Sequence, residues 1–140
     1  MHVLTITASS LFILFFIGEF IGIKRFSRRP KARTAMWNIN LFFTFLWVIS
    51  ISLLLFEKKS GVVFTLILAL LWLIAQVRAH WIPYVLGAPE DYRREYEKIF
   101  RNTIKVLPRI TQRGVVPNLY HTFVGLLLLG VMISGLRILF

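Results

Sequence analysis

Four stretches of the chain, at about 3–23, 35–56, 61–80 and 119–138, run almost without charge for the length that a membrane crossing demands. A helix rises ~1.5 Å per residue, so ~20 apolar residues span the ~30 Å of hydrocarbon in a bilayer. Each stretch comes close to that length. Hydrophobic residues make up 57% of the chain and its mean hydropathy is +0.72, well above the roughly 45–50% apolar content of soluble domains. A soluble fold is excluded. With 140 residues, most of them committed to spans, there is room for one bundle and one sizeable loop. The expected fold is an all-α membrane protein: a four-helix transmembrane bundle forming a single domain over residues 1–140. Only Met1 and His2 precede the first span and no small-residue cleavage site follows it, so this span is expected to stay in the mature protein rather than act as a removable signal.

The charges orient the bundle. The net charge is +11. Lys24, Arg25, Arg28, Arg29, Lys31 and Arg33 lie in the first loop. Arg78, Arg93, Arg94, Lys98, Arg101, Lys105, Arg109 and Arg113 lie at or in the third, and only Lys58, Lys59 and Arg137 fall on the opposite side. Lys and Arg are retained on the cytoplasmic face during insertion. Both basic loops are therefore expected in the cytoplasm and both termini outside, in the cell (inner) membrane. Basic residues beside spans meet anionic headgroups first, so the partner they suggest is lipid, and nucleic acid is set aside. The absence of cysteine removes disulfides, thiolate metal sites and cysteine nucleophiles.

Short links at 24–34, broken by Pro30, and at 57–60 make the first three helices antiparallel neighbours in chain order. Small residues four apart, Gly18 with Gly22, Ala75 with Ala79 and Gly130 with Ser134, mark candidate sites of close helix contact, within the bundle or in a homo- or hetero-oligomer. Trp37, Trp81 and Tyr84 suit an interfacial aromatic belt. No internal repeat supports an inverted-repeat transporter.

The loop at about 82–117 is bounded by Pro83 and Pro117, which discourage the flanking spans from running on. Inside it, Pro89, Glu90 and Asp91 open a helix and Pro108 stops it, which predicts about five turns. Tyr92, Tyr96, Ile99, Thr103 and Val106 share one side with Phe100, Ile104 and Leu107, while Arg93, Arg94, Lys98, Arg101 and Lys105 point elsewhere. Glu90–Arg94 and Glu97–Arg101 are spaced for helical ion pairs. The simplest place for this amphipathic interfacial helix is the membrane surface, aromatic side in the acyl boundary and the five basic residues toward headgroups. The rival reading docks it on a partner or over the mouth of the bundle.

An ionisable side chain near the middle of a span costs at least ~2.5–3.5 kcal/mol, so each one is a candidate functional group. Glu19 falls on a stripe of the first helix with Thr5, Ser9, Phe12 and Phe16. Asn40, with Thr44 four residues on, marks the second helix, and Asn38 points to another side. Thr65, Ala69, Trp72, Gln76 and His80 form a stripe on the third, and Asn118, His121, Thr122 and Gly125 one on the fourth. Alternating helix directions place Glu19, Asn40, Gln76, His80, Asn118 and His121 near one level. These six are the candidate ligand contacts of a polar pocket opening toward the cytoplasm. Arg78 lies away from Gln76 and is expected to reach headgroups by snorkelling. Beside the pocket reading stands a plainer one, in which His80 and His121 meet headgroups or make a structural bond between helices, and Glu19 pairs with Arg78 or a loop base. Glu19, His80 and His121 would also make a two-histidine, one-carboxylate metal set, and the two histidines could be axial ligands of a b-type haem.

From His80 to His121 the chain reads H-W-I-P-Y, G-A-P-E, Y-E-K-I-F-R-N-T, L-P and V-P-N-L-Y-H. This layout resembles that of a set of small bacterial multi-pass membrane proteins with W-x-P-Y, Y-x-x-x-F-x-x-T, L-P and P-N-x-x-H in the loop between their last two spans. The resemblance covers under a third of the chain and carries no activity. It implies one arrangement, in which His80, Trp81, Pro83, Tyr84, Asn118 and His121 belong together and the loop brings both histidines side by side. The residues leave three functions open: a membrane protein that binds a small molecule, lipid headgroup or partner subunit; a metal-assisted or acid–base enzyme on a lipid or small substrate; and an accessory subunit without a site of its own.

Overall fold

Apolar sequence of spanning length becomes helix throughout the computed structural model, which describes residues 1–23, 25 and 35–140, with side chains in the second helix from Asn38 onward. Lys24, Arg28, Arg29, Pro30, Lys31 and Arg33, and the side chain of Trp37, lie outside the described residues. Helix α1 (His2–Phe16) continues through a π turn at Ile17–Ile21, and α2 covers Ala35–Leu55. Helix α3 (Lys59–Gln76) continues through a second π turn, Val77–Trp81, into the short α4 (Ile82–Val85). Helix α5 (Glu90–Ile99) and α6 (Leu119–Leu139) follow, and no strand occurs among the described residues. His2–Ile21, Asn38–Leu55, Lys59–Val85 and Leu119–Leu139 are each long and apolar enough to cross a bilayer. The chain is a multi-pass, all-α membrane protein.

The four spans close into a ring, α1 against α2, α2 against α3, α3 against α6 and α6 against α1. Leu4, Leu11, Trp47, Val62, Val124 and Leu128 are fully enclosed at its centre. Lipid gives apolar side chains no reason to turn inward, so close packing decides which face is buried. Glycines show where. A Cβ on Gly61 would lie 2.8 Å from the Leu53 backbone in the α2–α3 hairpin, one on Gly135 2.6 Å from Leu66, and one on Gly18 2.3 Å from the Tyr120 ring. Of the spaced small residues, Gly18 and Gly130 pack within the chain, Gly130 beside Thr7. Gly22 instead ends the first span with φ 69°, and Ala75 is exposed. Helix α1 buries Leu4, Ala8, Leu11, Phe15 and Gly18, one position round from the expected stripe, and Phe16 is left 42% exposed.

The third span outruns its expected end. Pro83 lacks the N–H that would bond the Ala79 carbonyl, and in an α-helix its ring would crowd that same group. The wider π turn accommodates the ring, and the freed carbonyl accepts the Tyr92 hydroxyl at 2.6 Å. Pro83 thus bends the ladder instead of stopping it. Gly87, at φ 90°, then reverses the chain.

The loop helix is shorter than its pattern predicts. Helix α5 ends at Ile99, ten residues long, because Phe100 leaves helical geometry and Thr103 turns back to bond the Phe100 carbonyl through both its N–H and hydroxyl. Beyond it the chain is irregular. Arg101 and Lys105 therefore do not share a helix with Arg93, Arg94 and Lys98. Glu97 pairs with Arg109 at 2.8 Å rather than with Arg101, whereas the Glu90–Arg94 pair forms as its spacing predicts. Tyr84, expected in an aromatic belt, is buried and donates to the Pro108 carbonyl at 2.9 Å.

Candidate functional site at the loop end of the bundle

The two π turns lie at the same end of the bundle, one carrying Glu19 and the other His80. Such turns shift side chains off the regular helical register and recur at functional sites. Here they start a network. Glu19 accepts from the Asn40 amide at 2.8 Å on one oxygen and from the Tyr120 hydroxyl at 3.2 Å on the other. The Tyr120 ring fits because Gly18 has no side chain to obstruct it. Beside Tyr120, His121 stacks on His80 with ring centroids 3.7 Å apart and planes at 24°. His80 Nδ1 lies 2.7 Å from the Tyr96 hydroxyl, and Phe100 meets the His121 ring edge-on at 5.3 Å. Burial, with Tyr92 adding to it, pushes the Tyr96 hydroxyl well above the ordinary tyrosine range. Tyr96 therefore keeps its proton, and donates to His80 whenever the imidazole carries its hydrogen on Nε2.

Asn118 has a local duty. Its side-chain oxygen accepts from the His121 backbone N–H at 3.0 Å and caps α6, which sets the rotation that turns His121 inward. The loop assists. Ile104 donates to the Arg25 carbonyl and accepts from the Leu119 N–H, both at 2.7 Å, while Ala88 donates to Arg113 and Val115 to Pro83. These bonds fold the segment after α5 back across the helix ends. Tyr96 consequently lies buried against His80 with Phe100 beside it, while Tyr92 stays 40% exposed and bonds the Ala79 carbonyl.

Among the described residues, the buried polar atoms without a hydrogen-bond partner are Gln76 Oε1, Asn118 Nδ2 and His121 Nδ1 at this end, Thr111 Oγ1 in the loop beside it, and Trp47 Nε1 midway along α2. The terminus end differs. Thr65 donates to the Gly61 carbonyl at 2.7 Å, so Ser50, 2.6 Å away, donates to Thr65. Thr5, Thr7 and Ser52 bond carbonyls four residues back on their own helices.

The structure thus brings Glu19, Asn40, His80 and His121 into one connected set with Tyr120 and Tyr96, and buries Gln76 one turn before His80. Asn38 is exposed and apart from it, as is Arg78, and Glu19 is held by Asn40 and Tyr120 rather than by Arg78. Tyr96 and Tyr120 belong to the site without being among the six candidate contacts; Tyr96 stands four residues after Tyr92 on the apolar side of the loop helix, the signal that points to it. Among the described residues no group of three His, Cys, Asp or Glu side chains is placed to hold a metal ion. The two imidazoles lie face to face instead of opposing their nitrogens across a gap. No protein-family model, curated protein or solved structure matches the chain.

Proposed function

We propose that the protein is a membrane-embedded binding protein whose site lies at the loop end of the bundle, beneath α5, with that end toward the cytoplasm. The observation that carries this reading is a set of unpaired buried atoms on residues within one helical turn of the stacked histidines. An orphaned polar group costs ~1–3 kcal/mol, and Gln76, Asn118 and His121 each leave one beside the stacked histidines. A ligand that pairs with them recovers that cost on binding. Gln76 Oε1 accepts, Asn118 Nδ2 donates, and His121 Nδ1 does either according to its tautomer. Among the described residues the network contains a carboxyl, imidazoles, phenols and amides but no Lys or Arg. It therefore suits a small uncharged molecule, or an uncharged part of a lipid headgroup, with both a donor and an acceptor.

Native mass spectrometry of the protein in nanodiscs made from cell lipid extract tests the proposal. A bound species is expected with the unaltered chain and should be lost in His121→Ala and Gln76→Leu but retained in Arg78→Gln. No bound species, or one retained by both site variants, counts against the reading. Orientation has its own test, because the chain lacks cysteine. A single cysteine at Asn102 should be labelled only from the cytoplasm, and tags at both termini only from outside.

A further inference from the structure

The positive charge of the loop lies not on α5 but on the irregular segment after it. Helix α5 holds Glu90, Asp91, Glu95 and Glu97 against Arg93, Arg94 and Lys98. Arg94 is paired with Glu90, Lys98 lies 3.9 Å from Glu95, and Arg93 donates to the Gln112 carbonyl. Of the α5 tyrosines, Tyr96 is buried against His80 and Tyr92 bonds the Ala79 carbonyl. Residues 101–113 contain Arg101, Lys105, Arg109 and Arg113 and no acid. Of these only Arg109 has an ion pair among the described residues. Between them Ile104, Val106 and Ile110 stand 45%, 54% and 57% exposed.

We infer that residues 101–113 are the protein's contact with the anionic phospholipid of the leaflet, and that α5 is a cap over the bundle rather than a membrane-surface helix. Position argues for it as much as charge. The Ile104 backbone bonds both the end of the first span, at Arg25, and the first residue of α6, Leu119, while Tyr84 holds Pro108 against the end of the third span. Ile104 and Pro108 are thereby held near the level where helices enter hydrocarbon. Exposed aliphatic side chains at that level insert between acyl chains, and the unpaired Arg101, Lys105 and Arg113 meet headgroup phosphates. Among anionic surfaces, a bilayer alone offers apolar depth directly beneath its charge, which is what the alternation of Ile and Val with Arg and Lys requires. The inference does not depend on which ligand the site under α5 takes.

The test uses the full chain in nanodiscs, with single cysteines at Val106, Ile110 and Arg94 carrying a polarity-sensitive fluorophore and brominated acyl chains as quencher. In discs containing phosphatidylglycerol, probes at 106 and 110 should be quenched and the probe at 94 should not. Replacing Arg101, Lys105 and Arg113 by Gln should lower the ratio of inserted to withdrawn segment about fivefold per charge, corresponding to ~1 kcal/mol each. High salt or pure phosphatidylcholine should act in the same direction. Quenching at 94 but not at 106 would return lipid binding to the helix. Quenching indifferent to lipid charge and to the triple substitution, or absent at all three probes, would overturn the inference.

Discussion

The two ends of the bundle treat polar side chains in opposite ways. At the terminus end, Thr5, Thr7 and Ser52 bond their own helices and Ser50 with Thr65 closes one interhelical pair. At the loop end, Glu19, Asn40, Tyr120 and the His80–Tyr96 pair need partners from different segments, and Gln76, Asn118 and His121 each keep an atom that finds none among the described residues. In hydrocarbon a hydroxyl within reach of a carbonyl one turn back is nearly free of cost. A carboxyl, amide or imidazole has no such local remedy. The terminus end is thus built for packing, and the loop end retains unsatisfied groups that packing alone would have removed.

Overpacking should expose this difference most strongly. Gly61→Leu drives a side chain into the rigid Leu53 backbone and should cost at least the upper part of the ~1–3 kcal/mol typical of overpacked cores. The atoms nearest a Cβ on Gly18 all belong to the Tyr120 ring, a side chain rather than backbone. The cost of Gly18→Ala should be smaller, but it should break the Tyr120–Glu19 bond and with it ligand binding. Refolding equilibria in mixed micelles, together with ligand retention, separate the two. If Gly18→Ala is the more damaging to stability, the loop end is as tightly packed as the other.

Removing one polar group at each end should give opposite signs. Gln76→Leu deletes an unpaired buried carbonyl and should stabilise by about 1–2 kcal/mol while abolishing binding, whereas Thr65→Val removes both a helix bond and the Ser50 acceptor and should destabilise by ~1 kcal/mol. Arg78→Gln, exposed and outside the network, should stay within ~0.5 kcal/mol. A destabilising Gln76→Leu would show that Gln76 has a structural partner after all.

These contrasts also mark what the sequence could reveal. The spans were legible because nothing but a helix of that length and composition fits a bilayer. On α3 and α6 the stripes Thr65–Ala69–Trp72–Gln76–His80 and Asn118–His121–Thr122–Gly125 turn inward, with Trp72 and Thr122 only half-buried, since polar residues on an apolar helix point away from lipid. On α1 the same reasoning missed by one position. Thr5 and Ser9 are polar but need no interior, and Ala8 and Gly18 were drawn inward by packing. Neither π turn leaves a periodic signal, although Pro83, four residues after Ala79, held the clue to the second. The end of α5 was hidden because residues 101–107 continue the apolar–basic alternation after the backbone has left the helix.

A smaller effect is expected from the cap of α6. Asn118→Ala should cost ~1 kcal/mol through the lost bond to the His121 N–H, and Asn118→Ser should restore most of it. The comparison sharpens in binding. Serine keeps the cap oxygen but not the free amide hydrogens, so it should recover stability without recovering the ligand. Recovery of both would make Asn118 a cap and nothing more.

The smallest signal is the coupling across each end. Interhelical hydrogen bonds in membranes couple their partners by ~0.6 kcal/mol on average, and a double-mutant cycle isolates that quantity. Ser50→Ala with Thr65→Val should give about this value, because the pair is direct and self-contained. Tyr96→Phe with His80→Phe keeps the ring contacts and removes only the 2.7 Å hydrogen bond, and should give a similar value in the protein freed of ligand. The two ends then diverge when ligand is added. The Ser50–Thr65 coupling should not change, whereas the Tyr96–His80 coupling should rise, because a ligand held on His121 fixes the stacked His80 ring and with it the tautomer that Tyr96 reads. Equal couplings with and without ligand would mean that α5 closes over the histidines without sensing what lies beneath it.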